Sequence, residues 1–336
     1  MTTTIKDVAR KAGVSTATVS RALNNVGPVD EETRQRVRMA ARKLNYIPNA
    51  LGRSLSTKRT NAIGLLLPDL FGEFFSEILR GSDQTAQQSD FHLLVSSSHT
   101  NKEELRTALR IMRGRVDGLV IMSPYVDRET LNQNLPQSLP VVLLNCQVDS
   151  DGFDTITIDN FEGARNMTEH LLSHGHKRIA IITGTEGNFD ASERLRGYRA
   201  ALHGHGVSFD PTLQVSGEFS EATGYAAVKN LLSLASRPTA IFASNDSMAI
   251  GALSALRDEH IQLPEEMALA GFDDVPIASY LTPTLTSVHM GIHDLGVQAI
   301  QTAVHAACNK SAHRKQHVVV KTRLSLRESC GCTMNH

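Results

Sequence analysis

From Asn61 onward the chain alternates short, almost wholly apolar runs with amphipathic stretches, and few folds accommodate that rhythm. Ile63–Leu67, Phe91–Val95, Leu119–Met122, Val141–Leu144, Ile179–Thr183, Ala240–Ala243 and Met267–Ala270 read as parallel strands, and 101–113, 161–174, 191–203, 221–234 and 246–258 as the helices between them. Strand, helix and strand in repeated succession are βαβ crossovers, which build a doubly wound sheet. At about 275 residues this body is long for one α/β unit and comfortable as two. Ligands of such folds bind beyond the carboxyl ends of the strands.

The residues before this body follow a different pattern. Residues 5–24 read as two short helices joined by a tight Gly13-Val14 turn, with Ile5, Val8, Ala9, Ala12, Val14, Val19 and Leu23 at helical spacing. Thr16, Ala17, Thr18, Ser20 and Arg21 are left outward, mostly small or hydrogen-bonding. A helix with such a face approaches a major groove closely and lets Arg21 reach a base edge or a phosphate. Charge points the same way. Residues 1–60 hold twelve Lys and Arg against four acids, net +8, and the remainder hold 22 against 31, net −9. A basic module on an acidic body suits a polyanionic partner whose affinity falls as salt rises.

A third helix is expected over 31–44, with Asp30 as its N-cap and Val37, Ala40, Ala41 and Leu44 as its apolar stripe. The segment 48–58 is too short to be a stable helix alone, yet Leu51 and Leu55 stand at i and i+4 on it and need a partner copy, the minor groove, or both. The expected division is therefore 1–48 for a helix-turn-helix domain and 49–60 for a hinge, followed by a core over 61–336.

Taken together, Thr4-Ile5-Lys6-Asp7-Val8-Ala9, Gly13 to Arg21, Asn49-Ala50-Leu51-Gly52-Arg53-Ser54-Leu55, Asn245-Asp246-Ser247-Met248-Ala249 and Gly271-Phe272-Asp273-Asp274 resemble the lactose-repressor/galactose-repressor (LacI/GalR) family. The resemblance runs over essentially the whole chain. It implies a dimeric transcription regulator with a periplasmic-binding-protein-like core of two α/β subdomains. One would hold about 61–160 and 291–322, the other about 161–290 and 323–336, joined by crossings near 160, 290 and 322. It assigns Thr16, Ala17 and Arg21 to base reading, with Thr18, Ser20 and Asn24 completing the contact set, and Leu55 to a wedge in the minor groove. Gly52 stands where the family usually has Ala, which costs about 1 kcal/mol in a helix interior.

For the effector the resemblance supplies apolar walls from Phe74, Phe75 and Phe219 and polar contacts from Asn145, Asn188, Asp190, Arg194, Asn245 and Asp273. A guanidinium fork, carboxylates, amides and rings are what a sugar's hydroxyls and C–H face require. Asp69 and Asp190 disfavour a phosphorylated ligand. The expected effector is a neutral sugar, with a purine or nucleoside as the alternative and a sugar-transport receptor as a distant rival.

Enzymatic chemistry finds no support: no G-x-G-x-x-G, P-loop or G-x-S-x-G motif occurs. His170 and His174 stand at i, i+4 on a helix with His176 beside them, but no cysteine or acid completes a zinc spacing in the sequence, and no metal or cofactor is expected. Cys146, Cys308, Cys330 and Cys332 are too sparse for a disulfide scaffold and suit a reduced compartment. With no cationic and apolar leader and no run long enough to span a membrane, the expected location is the cytoplasm.

Overall fold

The computed structural model describes residues 3–24, 27–46, 59–99, 101–148 and 152–332, and the chain divides into two compact units, Met1–Thr60 and Asn61–His336. In the first unit, helix α1 (Ile5–Ala12) starts where the Thr4 amide and hydroxyl both donate to the Asp7 carboxylate, and it ends at Gly13, whose φ of 67° is left-handed. Helix α2 (Thr16–Asn24) follows after one turn, and α3 (Glu31–Lys43) begins at Asp30, which accepts the Thr33 amide at 2.7 Å. Val8, Ala9, Ala12, Val19, Ala22, Val37, Ala40 and Ala41 close the core of the three helices. All eight are alanine or valine, so the helices pack closely around a small apolar volume.

The second unit holds two six-stranded sheets. The first is ordered β11-β5-β4-β3-β1-β2, from β1 (Ala62–Leu67), β2 (His92–Ser97), β3 (Gly118–Ile121), β4 (Val141–Leu144), β5 (Asp154–Ile158) and β11 (His317–Val320), all parallel. The second is ordered β12-β10-β9-β8-β6-β7, from β6 (Ile179–Thr183), β7 (Gln214–Ser216), β8 (Ala240–Ala243), β9 (Ala268–Asp273), β10 (Thr286–His289) and β12 (Arg323–Ser325). Only the β10–β12 pair is antiparallel among these. The strands β1, β3, β4, β6, β8 and β9 are buried at every position, which explains why they are apolar but for Thr183 and Asp273 at the carboxyl ends of β6 and β9.

Helices α4 (Glu73–Gln88), α5 (Lys102–Met112), α6 (Arg128–Asn134) and α11 (Ile292–Cys308) belong with the first sheet, α4 packing against α11. Helices α7 (Asn160–Ser173), α8 (Phe189–Gly204), α9 (Glu221–Leu232) and α10 (Asp246–Asp258) belong with the second, paired α7 on α8 and α9 on α10. The chain passes between the sheets three times: after β5, after β10 and between β11 and β12. Every βα junction therefore delivers its loop to the carboxyl end of a sheet, where the polar residues gather. Among the described residues no helix is long and apolar enough to cross a membrane.

Candidate functional site

On α2, Thr16, Ala17 and Arg21 are exposed while Val19 and Ala22 are fully buried. Positions 16, 17, 20, 21 and 24 fall on one face at i, i+4 spacing. That face is small and cationic, with Asn24 donating to the Ser20 hydroxyl at 3.3 Å. Thr18 sits apart from it. Its amide donates to the Ser15 hydroxyl at 3.1 Å and the two hydroxyls lie 2.9 Å apart, so this side chain serves the start of the helix. Leu55 and the rest of the expected hinge lie outside the described residues.

The second polar assembly lies at the carboxyl ends of the strands. Asp190 and Arg194 occupy one face of α8, whose N-cap Asn188 accepts the Ala191 amide at 3.0 Å. Arg194, only 4 % exposed, donates through Nε to Asn160 Oδ1 at 2.8 Å and through Nη1 to the Ser244 carbonyl. Its Nη1 also lies 3.4 Å from Asp273 Oδ1, and its guanidinium covers the Phe272 ring at 3.7 Å. Asp190 accepts from Asn160 at 2.9 Å and from Asn145 at 2.7 Å. Asn145 follows β4 of the first sheet and Asp190 opens a helix of the second, so this bond joins the two lobes. A second link runs from the Ile277 amide to the Glu73 carboxylate at 3.0 Å.

Burial dominates the electrostatics. It raises the Asp190 carboxyl despite Arg194 and the two amides, and it lifts Asp273 to about 7 against the pull of Arg194. Asp246, fully buried behind them and beside Asp273, is pushed up as well, and is held by the Ser287 hydroxyl at 2.6 Å and the Val275 amide at 2.9 Å. The guanidinium is thus the fixed charge beside Asp190 and Asp273.

Of the remaining expected residues, Asn245 caps α10 through the Met248 amide at 3.0 Å and donates to the Phe219 carbonyl at 3.1 Å. Its amide is spent on holding the Phe219 loop. The Phe219 ring rests over Gly184, where any side chain would collide with it: a Cβ there would lie 2.0 Å from the ring. Phe74 and Phe75 open α4, meet edge to face at 5.2 Å and pack half-buried against the core. Sequence reasoning missed Asn160, the hub between Arg194 and Asp190, and it missed Asp246, Ser287 and Glu73. A fully helical asparagine that is 2 % exposed is the signal, and burial is invisible before folding.

His170 and His174 have no complementary cysteine at zinc spacing in the sequence, and the fold brings Cys330 and Cys332 to them from about 160 residues away. This group lies on the far end of α7 from Asn160.

The comparisons agree with this architecture. Residues 4–49 match the family described as "Bacterial regulatory proteins, lacI family", and residues 168–330 match "Periplasmic binding protein-like domain". The HTH-type transcriptional regulator RegA of Clostridium saccharobutylicum is 35% identical over 332 residues, covering 98% of this chain and 99% of that protein. The ribose operon repressor of Escherichia coli (strain K12) is 35% identical over 305 residues, covering 90% and 92%. The solved structure of the Lac repressor dimer bound to operator and the anti-inducer ONPF matches with a TM-score of 0.85 at 27% identity, over 98% of this chain and 99% of that one. With relatives at this identity along nearly its full length, the chain belongs to the lacI family of bacterial regulatory proteins, DNA-binding transcriptional repressors rather than enzymes.

Proposed function

We propose that this repressor acts in the cytoplasm as a homodimer on a pseudo-palindromic operator, under the control of a neutral sugar bound between its two lobes. The carrying observation is the Asn145–Asp190–Asn160–Arg194–Asp273 chain of hydrogen bonds, which starts on one lobe and ends on the other. A ligand with several adjacent hydroxyls replaces such bonds one for one, whereas a phosphorylated ligand meets two carboxylates. The ribose operon repressor among the relatives favours the same class. Asn188, Asn245, Phe74, Phe75 and Phe219 complete the wall in this reading.

A three-helix module contacts few bases, so two copies are needed for discrimination, with Thr16, Ala17 and Arg21 reading the major groove and Leu55 the minor. Effector binding changes the angle between the lobes, and operator affinity changes only by the effector's differential affinity for the two arrangements. The test is a thermal-shift screen of the full chain against neutral sugars, sugar phosphates and nucleosides, followed by fluorescence anisotropy on specific and scrambled duplexes with the hit. Stabilisation by nucleosides alone replaces the sugar with a purine-type effector. Equal affinity for all duplexes removes the specific operator.

A further inference from the structure

His170 and His174 stand one turn apart at the carboxyl end of α7, and Cys330 and Cys332 flank Gly331 in the segment after β12. Gly331 has φ 86°, a left-handed bend that an L side chain resists, and it turns the two thiols toward each other with Sγ atoms 3.6 Å apart. His170 Nε2 lies 3.3 Å from Cys330 Sγ and 3.6 Å from Cys332 Sγ, and His174 Nε2 lies 3.7 Å from Cys332 Sγ. A tetrahedral zinc ion with bonds of about 2.3 Å to sulfur and about 2.0–2.1 Å to nitrogen spaces its ligand atoms roughly 3.3–3.8 Å apart. The three separations among His170, Cys330 and Cys332 all fall in that interval.

The surroundings suit ligation too. His174 Nδ1 lies 3.0 Å from the His170 backbone carbonyl, so Nδ1–H donates there and Nε2 keeps its lone pair on the cysteine side. Cys330 is 2 % exposed and its sulfur sits 3.0 Å from the Thr286 hydroxyl, while His174 is exposed and leaves the group open to entry. We propose that His170, Cys330 and Cys332 hold a thiophilic divalent cation, zinc above all, that staples the segment after β12 to α7, with His174 beside Cys332 at the open side. Binding removes one proton from each thiol, so two protons leave, and two thiolates neutralise the dication. Three protein ligands fix the ion, and its fourth position is open to water or to a turn of the exposed His174 side chain.

The experiment uses the reduced, chelator-treated full chain. Cobalt(II) alone is the spectroscopic probe, because tetrahedral thiolate ligation gives intense visible bands and a near-ultraviolet charge-transfer band that octahedral cobalt lacks. One equivalent of zinc should displace it. Zinc at about a hundredfold over its Kd should raise the melting temperature by about 5–10 °C. Cys330→Ser is buried and risks the fold, so the partly exposed Cys332→Ser and His170→Gln are the deciding variants. Both should fold, lose the tetrahedral bands and bind zinc at least tenfold more weakly. The proposal is overturned if the reduced parent chain gives no tetrahedral spectrum, or if both variants bind as the parent does. It is equally overturned if the two cysteines are found as a disulfide and take up no zinc after reduction.

Discussion

Replacing Arg194 by methionine keeps most of the side chain's length and removes its charge and its donors. Asn160 Oδ1, the Ser244 carbonyl and Asp273 Oδ1 each lose a partner, although the methionine stem still covers the Phe272 ring. Taking one member from a buried ion pair costs about 3–5 kcal/mol. At roughly 2–4 °C per kcal/mol, the melting temperature falls by about 6–20 °C near pH 8. The loss depends on pH, with a definite sign. Without the guanidinium, Asp190 and Asp273 rise further above the ordinary carboxylate value of 3.8. An acid raised in the folded state contributes stability that is fully present below its unfolded pKa and is lost as pH rises through its folded pKa. The variant therefore loses least near pH 5, where Asp273 is protonated, and most near pH 8. Adding Asp273→Asn to it recovers much of the difference. Calorimetric melts of parent, single and double variants at three pH values measure all of this. A penalty below about 1 kcal/mol near pH 8, within the ordinary range for an unimportant site, refutes the account, as does a penalty equal at every pH.

Arg21→Ala should relax sequence preference by about 1–3 kcal/mol at one base position, seen in anisotropy against single-site operator variants, with little effect on effector binding. In the parent background, Asp273→Asn should flatten the fall in stability between about pH 5 and pH 7, because the carboxyl that titrates near 7 is gone; melts across that window check it. Asn145→Ala deletes the amide that joins the lobes at Asp190 and should cost about 1.5–3 kcal/mol of core stability or effector affinity, separable by calorimetry with and without the sugar from the screen. Gly184→Ala drives a Cβ into the Phe219 ring and should weaken effector binding by about tenfold, roughly 1.4 kcal/mol, while operator affinity without effector holds.

What local chemistry dictates was readable from the residues alone. Asp30 caps α3 as expected, the apolar stripes of the first three helices became their core, and the runs at Val141–Leu144, Ile179–Thr183 and Ala240–Ala243 are strands at those bounds. Each of these signals lies within one turn or one strand of itself, where periodicity and capping operate. Three of the four edge strands escaped: β7, β11 and β12 are three or four residues long and only half-buried, so their composition does not stand out from loop. β5 and β10 escaped as well, since Asp154, Thr155, Thr286 and Ser287 are polar residues buried by partners the sequence does not reveal. Charge asymmetry and the outward face of α2 pointed to DNA without any tertiary information. The groups that do the finer chemistry are assembled across distance. Asn145 meets Asp190 over 45 residues, Arg194 meets Asp273 over 79, and His170 meets Cys330 over 160. Sequence spacing carries no such proximity, because it arises only when two sheets place their carboxyl ends together and a returning strand lays its last turn on α7.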